Sequence, residues 1–144
     1  MPEGSSIINF FNENVRFLLK DKSYLKTWVS DSILNEKKKV GSLNFVFCAD
    51  KYLLLLNKTY LNHNTLTDII TFDYSVKNQV SGDIFISIER VKYNSKLLNI
   101  SFKDEIHRVM IHGVLHLCGY GDKSLKEKAS MRKQEDKYLS LRTF

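Results

Sequence analysis

The stretch IHRVMIHGVLHLCGYGDK, residues 106–123, decides how the chain folds. Val109, Met110, Ile111, Val114, Leu115 and Leu117 fall on nearly every side of a helix drawn through it, and a helix apolar almost all round belongs inside a core. The helix is predicted over residues 102–118, with Gly119 as a left-handed stop. Two histidines, His112 and His116, lie four residues apart within it, so their imidazoles project from one side, one turn apart.

Working outward, residues 6–11 read as a short apolar strand. A helix follows in which Leu25, Trp28, Val29, Ser32 and Ile33 share a face, ended by the basic run 37–39 and Gly41. Leu43, Phe45 and Phe47 alternate in a second strand, after which Asp50 can cap a leucine-rich helix reaching about Tyr60. Residues 61–66 are polar and turn-like. Two β-rich runs, 68–74 and 83–88, flank KNQVSG and predict a hairpin, and residues 89–98 look helical. Ser124 with Glu127 forms a capping box opening a final helix, whose KEKASMRKQEDK reads as a solvated surface of mixed charge. Four strands and about five helices in mixed order predict an α+β (mixed α/β) domain, a single four-stranded sheet packed with helices, over residues 1–144.

A chain of 144 residues with 43% hydrophobic and 26% charged residues is ordinary for one folded domain. Its net charge of +6 would attract polyanions such as RNA, but moderate basicity does not by itself name a partner. Cys48 and Cys118 are far apart and show no CxxC spacing, so neither a disulfide framework nor a cysteine zinc knuckle is indicated, and a reducing cytoplasm fits. MPEGSSIINFF lacks the pattern of a secretory leader, and no segment has the apolar length to cross a bilayer.

Two imidazoles on adjacent turns can chelate zinc, which needs nitrogen ligands about 2 Å away. After Gly119 the chain GYGD can fold back and present Asp122 as a third ligand. Three protein ligands leave a fourth position for water, the arrangement of a catalytic zinc site. Against this stands a chance pair on a partly buried face, yet unpaired imidazoles in so apolar a helix would be costly. The residue after His112 is Gly113, where HExxH zinc proteases carry their glutamate base, so peptidase chemistry is disfavoured. That glycine would leave open space beside the metal, consistent with a bulky substrate or with close packing of another element.

HGVLHLCGYGD resembles the signature of the YbeY family, and the similarity extends through LNKTYLNHNTLTDIITFDY and SGDIFISIERV, covering most of residues 56–122. The resemblance implies a zinc-dependent endoribonuclease with a zincin-like metal-site helix. It would act on single-stranded RNA in 3′ end maturation of small-subunit (16S) ribosomal RNA and in ribosome quality control. Ribosomal RNA and the small ribosomal subunit are then the expected partners. It also implies one zinc ion on His112, His116 and Asp122, with Asp122 standing where most members carry a third histidine. Leu61 occupies the place of an arginine that the family associates with activity, and a leucine cannot hold a phosphate. Lys58, Arg90 and Arg108 are candidates to supply that charge.

Other residues carry less. Cys118 reads as a small buried apolar side chain, His107 as a capped or solvent-exposed histidine, and His63 has no assigned role. Asp68 and Thr67 read as serving the backbone at a strand start. The rival function from another class is a non-catalytic ribosome-assembly factor with a structural zinc.

Overall fold

A computed structural model describes residues 7–62 and 66–144. The order is β1 (Ile7–Asn12), α1 (Lys22–Asn35), β2 (Lys39–Cys48), α2 (Asp50–Leu61), β3 (Ile69–Asp73), β4 (Gln79–Ser87), α3 (Ile88–Leu98), α4 (Phe102–Leu117) and α5 (Leu125–Ser140). The strands form one mixed sheet in the order β1-β2-β4-β3. β1 and β4 both run parallel to β2, and β3 closes the edge antiparallel to β4. The fold class is as expected: five helices on a single four-stranded sheet.

Strand alternation splits the core in two. Phe45, Phe47, Ile84 and Ile86 join a large cluster with residues of α1, α3, α4 and α5, whereas Ile70, Phe72 and Phe85 turn to the opposite face under α2. The helix α4 lies in the larger cluster, with Met110, Ile111, Val114 and Leu115 almost without exposure. Gly113 explains how it lies so close to the sheet. A β-carbon there would come within 2.8 Å of Ile84 Cγ2 and 2.9 Å of Ile69 Cδ1. Close packing of another element is therefore the role of this glycine, and of the two uses expected for it, room for a bulky substrate is the wrong one.

Several local expectations are corrected. Lys39 and Gly41 do not terminate α1, which ends at Asn35; they begin β2, where the strand shifts register against β4 between Val40 and Leu43. Asp50 is not the cap of α2 but its first residue, after Ala49, and its carboxylate accepts from Ser87 Oγ at 2.6 Å and from Arg90 Nη2 at 2.9 Å. The hairpin is tighter than KNQVSG suggested. Val76 bridges Gln79 across a turn with Lys77 at φ 56°, and residues 79–82 are already strand. Leu61 closes α2 instead of starting a loop; Ser6 and His63 lie outside the described residues. The histidine expected at a cap or in solvent, His107, is buried beside Trp28, Phe144 and Arg142. Finally, α5 is no fully solvated helix, because Met131, Glu135 and Tyr138 are buried along one side.

Candidate metal centre

The helix that carries the histidines is bounded by its own sequence. Ser101 accepts from the Asp104 amide at 3.0 Å, and Asp104 and Glu105 place negative charge in the first turn, where the helix dipole favours it. At the other end the Gly119 amide reaches the His116 carbonyl and the Tyr120 amide reaches Leu115, both at 3.0 Å, with Gly119 at φ 108°. This is the double bond pattern of a Schellman stop. It reverses the chain so that Asp122 returns toward the last turn of the helix.

Two anchors fix that return. Tyr120 donates to Glu36 Oε1 at 2.8 Å, and Tyr138 donates to Glu36 Oε2, so one carboxylate at the end of α1 ties the loop to α5. Burial, then the hydrogen bond to Glu36, pushes the Tyr120 phenol up to about 12, which keeps it a donor. On the far side Glu127 accepts from the Lys123 and Ser124 amides at 3.1 and 3.0 Å. A β-carbon on Gly121 would meet that carboxylate at 2.4 Å, so the second glycine serves close approach.

The result brings three side chains together. Asp122 Oδ2 lies 3.2 Å from His112 Nε2 and 3.2 Å from His116 Nε2, and one ligand atom from each residue falls within 4.8 Å of the others. His112 Nδ1 lies 2.6 Å from Glu135 Oε2, and Glu135 also accepts from Arg108 Nη1 at 2.9 Å. Burial opposes ionisation of Glu135, but the hydrogen bonds from His112 and Arg108 outweigh it and hold the carboxyl below its usual range. An ionised Glu135 requires the proton on Nδ1. Nε2 then faces a carboxylate oxygen, a contact that either a second proton on the ring or a cation between the two atoms makes favourable; burial lowers the His112 pKa, but Glu135 and Asp122 together raise it above its ordinary value.

The donor set fits a zinc-like ion on distance as well. Bonds of about 2.0–2.2 Å in a tetrahedron put neighbouring donors about 3.3–3.5 Å apart, close to the spacing from Asp122 to each histidine. All three line a cleft of about 470 Å³ whose walls include Asp68, Glu105, Val109, Lys128, Met131 and Arg132.

Of the three basic candidates, Arg108 lines this cleft, its guanidinium paired with Glu135 and with Asp136 at 3.0 Å. Arg90 pairs with Asp50 and lies over Tyr93, and Lys58 borders a separate hollow with Glu13 and Tyr52. The structure thus brings one of the three to the histidines. Glu135 and Glu105 were passed over in the sequence, and Asp68, expected there to serve the backbone at a strand start, also lines the cleft. Glu135 carried a usable signal, since its four-residue offset from Met131 and three-residue offset from Tyr138 mark one face of α5. Glu105 also carried one, since its seven-residue offset from His112 puts it two turns away on the same face of α4, whereas Asp68 reaches the cleft only through the packing of β3 against α4.

A mixed sheet carrying a buried His-x-x-x-His helix and a returning carboxylate defines a class of α+β proteins in which one helix bears a group that could hold a metal ion. The family model for endoribonuclease YbeY matches residues 9–142, and the chain belongs to that family. It is 50% identical over 138 residues to endoribonuclease YbeY of Cytophaga hutchinsonii, covering 95% of this chain and 96% of that one. It is likewise 50% identical over 131 residues to endoribonuclease YbeY of Flavobacterium psychrophilum, covering 91% and 94%. Among solved structures, the solution structure of TM1509 from Thermotoga maritima aligns with TM-score 0.65 at 25% identity, over 93% of this chain and 87% of that one.

Proposed function

We propose that the protein is a zinc-dependent endoribonuclease that cuts single-stranded RNA, acting in the cytoplasm on the 3′ end of small-subunit (16S) ribosomal RNA and in ribosome quality control. The observation that carries this reading is the convergence of His112, His116 and Asp122 on one side of a cleft open to solvent, in a chain whose relatives bear the name endoribonuclease. No described helix is long and apolar enough to cross a membrane.

In this reading His112, His116 and Asp122 hold one zinc ion. Bound there, the ion supplies Lewis-acid polarisation of a phosphate oxygen and acidification of water. The protein's own groups do the rest. Glu135 fixes the tautomer and orientation of His112, and Arg108 keeps Glu135 ionised and in place. Lys128 and Arg132, a turn apart on α5, border the cleft and offset phosphate charge as the RNA backbone enters. Leu61 is exposed at the end of α2 and contributes no charge to this task.

That leucine, and the engagement of Arg108 with carboxylates, favour a second reading: an assembly factor that binds ribosomal RNA or the small subunit and uses its metal structurally. Incubating zinc-loaded protein and His116→Ala with single-stranded and structured ribosomal RNA separates the two. Cleavage of the single strands by the wild type alone supports the enzyme. Equal cleavage by both proteins, or none by either with RNA binding intact, rejects it.

A further inference from the structure

Glu105 is 4% exposed, its Oε1 is buried with no hydrogen-bond partner among the described residues, and yet the residue lines the cleft. A buried carboxyl oxygen without a partner is costly, so in a folded protein it calls for an explanation. Burial, then the charge of Asp68, pushes its carboxyl above the usual range, and Arg108 and Arg132 offset this only at a distance. Unlike Glu135, it has no part in holding the histidines.

Its position is informative. Glu105 and His112 are seven residues apart on α4, two turns along one face and about 10 Å by helix rise. That separation is comparable to the reach from a phosphate to the far edge of its own base. Val109 stands one turn beyond Glu105 on the same face, and Leu98 enters from the last turn of α3 four residues before α4 begins. Leu98 presents apolar surface to the cleft and the largely buried Val109 also lines it, beside an acceptor; the cationic side chains Lys128 and Arg132 come from α5, and Arg108, one turn from Glu105 on α4, is engaged by Glu135 and Asp136. A phosphate is attracted to one part of the cleft and repelled by the other, while a flat ring with N–H donors is suited to the second.

We infer that Glu105 with Leu98 and Val109 forms a nucleobase subsite beside the metal centre, and that it selects guanine. The inference rests on the endoribonuclease reading. Guanine is the base that offers two adjacent donors, N1–H and the N2 amino group, to the two oxygens of one carboxylate. Cytosine offers one donor next to an acceptor, and uracil one donor between two acceptors. Two charge-assisted hydrogen bonds from a base to a desolvated carboxylate discriminate strongly, because the wrong base leaves the oxygens unpaired. Unpaired single-stranded RNA exposes that edge.

Binding of the four ribonucleoside 5′-monophosphates and of inosine 5′-monophosphate to zinc-loaded wild type and Glu105→Gln, by calorimetry, tests this. Wild type is expected to bind guanosine monophosphate about tenfold or more tighter than the uridine compound. Inosine monophosphate, lacking only the N2 amino group, should lose most of that advantage. Glu105→Gln, similar in shape and retaining full zinc, should bind all five alike. Equal affinity for guanosine, inosine and uridine monophosphates in the wild type overturns the inference without reference to any variant, and so does a guanine preference undiminished in Glu105→Gln. These readouts involve no cleavage, so a failure here with metal-dependent RNA cleavage intact rejects the subsite and leaves the endoribonuclease reading standing.

Discussion

Glu135 holds an imidazole with one oxygen and a guanidinium with the other, and this makes it the residue on which the metal site's geometry depends. Removing its charge while keeping its shape should leave the histidines present but less well oriented. Glu135→Gln is expected to lower zinc affinity about ten- to a hundredfold in a chelator competition, with cooperative unfolding retained. An unchanged affinity would remove the positioning role. His107, five residues before His112, acts on stability instead. Burial, then Arg142 and Lys103, press its pKa down from 6.5 to about 4, so the folded protein holds it neutral. Between pH 6.5 and 4 the unfolded chain takes up a proton that the folded chain refuses, and stability falls as pH falls through that window. Above pH 6.5 the contribution is complete. His107→Leu should flatten this part of the profile, reducing the wild-type loss by up to about 3 kcal/mol in urea titrations at the two ends of the window.

At the level of elements, the distance between α4 and the sheet is set by one missing β-carbon. Gly113→Ala would place a methyl group under 3.0 Å from Ile84 and Ile69, and the helix must lift or the isoleucines must shift. A loss of about 1–3 kcal/mol is expected, read as a lower denaturation midpoint at unchanged slope. A helix displaced in this way carries His112 and His116 with it, so zinc affinity should fall together with stability. The loop that follows is held from both sides, by Glu36 through Tyr120 and by Glu127 through the Lys123 and Ser124 amides, so Asp122 comes from a fixed turn instead of a free tail.

For the whole molecule, the proposed metal and the fold are linked, because the three candidate ligands converge only when α4 and its returning loop are in place. Zinc at a hundredfold excess over its Kd should stabilise the native state by about 2.7 kcal/mol and raise Tm by several degrees. The rise should vanish in His112→Ala and His116→Ala. An equal rise in these variants would place the metal elsewhere. The sheet supports this arrangement through β3 and β4, whose Ile69 and Ile84 lie under α4, so the central part of the core is also the floor of the site.

Periodicity was enough to determine much of this. The apolar residues of 102–118 announced a buried helix, the four-residue spacing put His112 and His116 on one side, and GYGD announced a turn that returns Asp122. Those are local properties, carried by neighbours in sequence. Tertiary structure decided the rest. Whether Gly113 meant room for a bulky substrate or close packing depended on Ile69 and Ile84, 44 and 29 residues away, which no helical pattern reports. The mixed charges of α5 concealed Glu135, because a carboxylate becomes a ligand's support only when another helix brings a histidine to it. His107 followed the same rule in reverse, its burial set by Trp28 of α1 and Phe144. Local spacing fixes which side chains point together along one element; which charges are buried, and against what, is settled only when distant elements pack.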